Sequence, residues 1–122
     1  SFTTVKHALI DGTALPPVKT YWNNILLAVV SATAEHGATT GQIASKLLAN
    51  HVRGQKEDGG YRYVPQADIS VQGQDANGAW KATYFLAREF GINVEVMFVW
   101  QNNPKAANPG LTGNLSVGNV FE

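Results

Sequence analysis

The chain holds 122 residues, 44% of them hydrophobic and 10% aromatic, which fits one globular domain with a real core and excludes disorder as the default state. Nine Lys and Arg side chains balance nine Asp and Glu, so the basic excess that supplies most of a dedicated nucleic-acid binder's affinity is missing, and little charge repulsion separates one copy from another. With no cysteine, disulfides and thiolate chemistry are both excluded.

Thr3 to Ile10 is β-prone and ends at Asp11-Gly12, a tight-turn dipeptide, so a short return strand over Thr13 to Leu15 is expected before Pro16 and Pro17 stop it. A helix follows, with Thr20 as its candidate N-cap and Trp22, Ile25, Leu26, Val29 and Val30 at helical spacing. Leu27, Ala28, Ala32 and Ala34 widen that stripe around most of the cylinder. Such a helix must be buried centrally or against another copy. The apolar run Ile25 to Val30 is far too short to span a bilayer, and the first residues lack the apolar core of a signal peptide, so a cytoplasmic protein is the expectation.

Gly37 suits the left-handed position after the helix, and Thr39 with Gln42 has the spacing of a capping box for a second helix carrying Ile43, Ala44, Leu47 and Leu48. His51 to Tyr63 is the most charged stretch and holds Gly54, Gly59 and Gly60, which reads as an exposed loop or hairpin leading into an extended Tyr61 to Val64. Asp68 to Gln72 alternates as a short strand. Asp75 or Asn77 caps a third helix over Gly78 to Phe90, and Gly91 ends it. Ile92 to Trp100 is the clearest strand in the chain.

Strand, helix, strand over residues 68–100 predicts a βαβ unit with parallel strands. The whole is expected to be an α/β or α+β two-layer domain over residues 1–100, with three helices and a sheet of three to five strands. Residues 101–122 are rich in Asn, Gly and Pro and predict a coil-like extension. Leu111, Leu115, Val117, Val120 and Phe121 give it apolar hooks that would hold it to the domain or to a partner.

Gly73 to Gly78 has the glycine spacing of a phosphate loop, but Ala79 and Trp80 stand where Lys and Ser or Thr are required, so ordinary helix capping is the better reading. Gln72, Gln74, Asp75 and Asn77 would lie at the carboxyl end of a parallel strand, with Gln101 and Asn102 at the same edge, where open α/β sheets bind ligands; a hydrogen-bonded turn network is the plainer account. His7, His36 and His51 share no short metal-ligand frame, and no cofactor is expected. No serine sits in a Gly-x-Ser-x-Gly elbow and no catalytic motif emerges, so no enzyme is expected. His36 to Leu48 resembles the turn and second helix of a helix-turn-helix in outline, but glycine-rich sequence follows where a recognition helix should.

Two functions remain. The first is a non-enzymatic interaction or assembly module, self-associating or bound to another protein, with Trp22, Trp100 and Phe121 as candidate anchors. The alternative is a nucleic-acid-associated accessory protein in which Arg53, Lys56 and Arg62 contact phosphate beside Tyr61 and Tyr63.

Overall fold

The computed structural model describes residues 2–118. The chain runs β1 (Thr3–Ile10), β2 (Thr13–Ala14), one 3-10 turn (Pro17–Lys19), α1 (Trp22–Glu35), α2 (Thr40–Lys46), β3 (His51–Arg53), β4 (Tyr61–Val64), β5 (Ile69–Gln72), α3 (Ala76–Phe90), β6 (Val94–Trp100) and β7 (Thr112–Val117).

The first hairpin forms as its sequence demands. Asp11 and Gly12 both take positive φ, 49° and 81°, which is what a two-residue type I′ turn requires. Asp11 bears this because Asn93 holds it twice: the Asp11 N–H donates to the Asn93 carbonyl at 2.7 Å, and its carboxylate accepts the Asn93 N–H at 2.9 Å. The same carboxylate meets His36 Nε2 at 2.8 Å, so the turn also anchors the end of α1.

The strands form two antiparallel sheets, in the orders β2-β1-β6-β7 and β3-β5-β4. α1 packs on β1, α3 reaches β7, and the smaller sheet covers α1 and α2 through β4 and β3. One continuous core results. Ile25, Leu26, Val29 and Val30 of α1 are fully buried in it beside Ile69, Leu86, Ile92 and Val94. The apolar first helix is therefore the centre of the domain.

Several expectations change in detail. The residues of 68–100 do run strand, helix, strand, but β5 and β6 lie in different sheets and every pairing is antiparallel, so there is no parallel βαβ unit. The reason is readable in β6. Val94, Val96 and Phe98 are buried while Glu95 and Met97 are exposed, the one-sided alternation of an antiparallel sheet, whereas parallel strands are covered on both faces. β6 instead pairs with β1, a strand of matching length. The helix begins at Trp22 after Tyr21, and the Thr20 hydroxyl donates to the Pro17 carbonyl at 2.8 Å rather than capping α1. The capping box of Thr39 and Gln42 is complete, with both reciprocal bonds made, although α2 stops at Lys46. Asp75, not Asn77, caps α3. His51–Arg53 is a strand, because β5 offers it an edge opposite β4.

The largest difference lies in residues 101–122. Thr112–Val117 is a strand on β6 and not coil, in unbroken register from Val94↔Val117 to Val99↔Thr112. Leu115 and Val117 face inward beside Gly113. Val120 and Phe121 lie outside the described residues.

Gly113 is required by its neighbour. The Phe98 ring lies beneath it, fixed between Trp22 and Trp100 with ring centroids 5.6 and 5.7 Å away, and a Cβ at position 113 would overlap that ring. Gly113→Ala should therefore cost about 1–3 kcal/mol, the usual penalty for overfilling a packed site, measured by urea unfolding. Wild-type stability in that variant would mean that the ring is free to move.

Candidate functional site

The residues singled out from the sequence fall in two regions, and the structure describes both. In the first, Gln72, Gln74 and Asp75 join the end of β5 to the start of α3 through a closed set of hydrogen bonds. Gln72 Nε2 donates to the Gly59 carbonyl at 2.9 Å, and its Oε1 accepts from Asn50 Nδ2 at 3.1 Å. Gln74 Nε2 donates to the Gln72 carbonyl at 3.0 Å. The Asp75 carboxylate accepts the Gly78 N–H at 2.6 Å. Asn23 on α1 then clamps the main chain of Gln74, accepting its N–H at 2.9 Å and donating to its carbonyl at 2.8 Å. Amides that pair with main chain in this way fix a turn, because backbone groups inside a fold must find partners. Asn77 remains exposed on the first turn of α3 and lines a shallow aromatic groove with Trp22, Trp80 and Trp100. The premise of a ligand edge outside parallel strands does not hold here, and the Gln101 N–H donates to the Phe2 carbonyl at 2.6 Å.

In the second region the cations are dispersed. The loop between β3 and β4 is tied down by the fully buried Ser70, whose hydroxyl donates to the Gly54 carbonyl at 2.7 Å and accepts the Lys56 N–H at 2.8 Å. Lys56 pairs with Asp58 at 2.8 Å and lies 5.1 Å from the centre of the Tyr61 ring. That hydrogen bond holds the Lys56 ammonium above its ordinary pKa and the Asp58 carboxyl below its own. Arg53 lies elsewhere, its guanidinium over Gly41 of α2. Arg62 reaches α1 and donates to Asn24 Oδ1. Successive side chains of a strand point to opposite faces, so Tyr61 and Arg62 do not share a surface. Tyr63 donates to Asp68 Oδ1 at 2.7 Å, and this bond raises the phenol's pKa.

The candidate anchors Trp22 and Trp100 belong to a half-buried aromatic chain. Trp22 meets Trp80 edge-on with centroids 6.1 Å apart, and its Nε1 donates to Thr3 Oγ1 at 3.0 Å. Phe121 lies outside the described residues. Of the histidines, His36 meets Asp11 and His51 Nδ1 lies 2.8 Å from the Ala49 carbonyl. No group of three or more His, Asp or Glu side chains that could hold a metal ion occurs among the described residues. No helix among them is long and apolar enough to cross a membrane.

Two features of the surface were not evident from the sequence. One is the outer edge of β7. The Trp100 N–H donates to the Leu111 carbonyl at 2.8 Å, which sets the phase of the ladder. Gly113, Leu115 and Val117 then bond to β6, while the N–H and C=O groups of Thr112, Asn114 and Ser116 point away from the sheet. Alternation of Leu115 and Val117 with polar residues was the available signal, masked by the surrounding asparagines and glycines. The other is a groove of about 400 Å³ between α1, the β2–α1 linker and the end of β4, to which Lys19, Asn24 and Arg62 contribute. No local motif announces it, since its parts are far apart in the chain.

Comparison with protein-family models, with curated proteins and with solved structures finds no match for this chain.

The Asn23 clamp makes a direct prediction. Asn23→Ala leaves the Gln74 N–H and carbonyl without their partners in a half-buried turn and should cost about 1–3 kcal/mol, read from urea midpoints. The Tyr63 bond makes another. The fold favours the neutral phenol, so its contribution is complete below the unfolded tyrosine pKa and is lost as pH rises through the higher folded value. Asp68→Gly, which removes the acceptor and suits the positive φ of 53° at that position, should lower the alkaline midpoint of Tyr63 in an ultraviolet titration; an unchanged midpoint would contradict the assigned cause.

Proposed function

We propose that the chain is a non-enzymatic assembly module that self-associates by pairing the free edge of β7 with β7 of a second copy. One observation carries this reading: Thr112–Val117 is an edge strand with an unbroken ladder to β6 and no Lys, Arg, Asp, Glu or Pro anywhere in it. Edge strands that must stay single are normally blunted by charge, proline or a bulge, because their unpaired N–H and C=O groups are a template for another strand. β1 carries such a bulge between Val5 and His7, whereas the register of β7 has none.

The edge is also self-complementary. A two-fold axis through Asn114 places that residue opposite its counterpart and Thr112 opposite Ser116, so all three outward-facing residues of each copy gain partners at once. Thr and Ser directly opposite one another are a favourable cross-strand pair. Two four-stranded sheets become one of about eight strands, the geometry of β-augmentation. Zero net charge favours the association. A nucleic-acid reading of residues 51–63 has weaker support, since Lys56 is paired with Asp58 and Arg53, Lys56 and Arg62 lie apart.

Light scattering over a concentration series should give a dimer whose stability changes little with salt, because the interface holds no ion pair. Asn114→Pro is the decisive variant. The N–H at position 114 does not serve β6, so proline leaves that ladder in place while removing a donor from the free edge and crowding it. The expected result is a folded monomer. A wild-type chain that stays monomeric at every concentration, or a variant that associates as the wild type does, would overturn the reading.

A further inference from the structure

The groove beside α1 combines an apolar floor with unneutralised positive charge. Leu27 and Ala28 belong to the helix's wide apolar stripe, pack against the core and remain half-buried. Leu15 and Pro16 of the linker form the facing wall. Lys19 and Arg62 stand at the polar end, and no Asp or Glu lines the groove.

The charges there are held but not cancelled. Arg62 donates to Asn24 Oδ1, a neutral acceptor that positions the guanidinium and leaves its charge intact. The bond also fixes the Asn24 amide, so that Nδ2 has no acceptor among the described residues. The Lys19 ammonium has no ion pair or hydrogen bond among the described residues either, although its main-chain N–H donates to the Pro16 carbonyl. Ser31, one helical turn beyond Ala28, adds a hydroxyl. Next to the groove, and sharing Leu15, Ala28 and Ser31 with it, is a second depression that carries Glu35 and Asp11, the latter engaged by His36. The potential therefore falls from positive to negative along α1, and an anion is favoured only at the Lys19 and Arg62 end.

We infer that this groove is a binding site for a small organic anion: a carboxylate or phosphate on a ring-sized apolar body, with the acid between Lys19 and Arg62 and the body on Leu27 and Ala28. Its volume of about 400 Å³ lies at the small end of the range for ligand pockets, roughly 300–1,000 Å³. Among the described residues, the only charged side chains that line it are the cations Lys19 and Arg62, which suits a planar acid group that arginine can grip with two parallel hydrogen bonds. Glu35, in the adjoining depression, disfavours a ligand that carries a second acid group toward it.

Four probes separate the contributions: phenyl phosphate, benzoate, inorganic phosphate and benzyl alcohol, each titrated into the full chain and followed by NMR amide shifts. Phenyl phosphate or benzoate should bind at least about tenfold more tightly than inorganic phosphate or benzyl alcohol, with shifts centred on Asn24, Ser31 and Arg62. Whichever of the two binds more tightly identifies the acid group. Arg62→Gln and Lys19→Gln should each weaken binding about tenfold, the value of one charge-assisted hydrogen bond. Lys81→Gln, on α3 and outside the groove, should leave it unchanged. Equal affinity for the whole probes and their halves, or a loss in the Lys81 variant as large as in the other two, would overturn the inference.

Discussion

The structure depends on the burial of α1. Its apolar residues occupy more of the cylinder than one sheet can cover, and each apolar side chain removed from water contributes about 1.5–3 kcal/mol. β1 and α3 take up one part of that surface, and β4 and α2 take up another. Ile25, Leu26, Val29 and Val30 are thereby removed from solvent completely. A single antiparallel sheet with helices on one side would have left half of this helix wet. The small β3-β5-β4 sheet exists to close the remaining side, and Ser70 stitches its connecting loop onto the central strand.

Building around a central helix determines what stays exposed. The four-stranded sheet has helices on one face only, so Glu95 and Met97 face water, and its order leaves β7 at the rim. The closure of α1 is also incomplete along Leu27 and Ala28, where the linker after β2 and the end of β4 approach without meeting. Among the described residues, the outer edge of β7 has no partner strand, and the groove beside α1 stays open. They differ in kind. The strand offers directional backbone hydrogen bonds without charge, and the groove offers charge above an apolar floor.

Local chemistry made much of the fold legible in the sequence. Asp11-Gly12, the Thr39 and Gln42 capping box, the Asp75 cap and Gly91 at the end of α3 are all signals contained within four residues, and each one operates as its chemistry implies. Pairing between distant segments was harder to read. The length of the connection between β5 and β6 allowed a parallel crossover, and only the one-sided burial of β6 argued against it. β7 was obscured because strand propensity is weak beside Asn and Gly, while the packing that selects it, Gly113 on the Phe98 ring, involves residues fifteen positions apart. The candidate site was less legible still. Charge composition drew attention to Arg53, Lys56 and Arg62, but a run of charges along a chain does not reveal which of them a fold will neutralise. Lys56 found Asp58 two residues away, whereas Arg62 found a neutral asparagine on another element.

Amide hydrogen exchange at the rim tests the central claim most directly. If β7 is the surface through which copies meet, the amides of Thr112, Asn114 and Ser116 should exchange rapidly in dilute protein and slow progressively as concentration rises. The amides of Gly113, Leu115 and Val117, which serve the ladder to β6, should be protected throughout. Fast exchange at positions 112, 114 and 116 at every concentration would contradict the account.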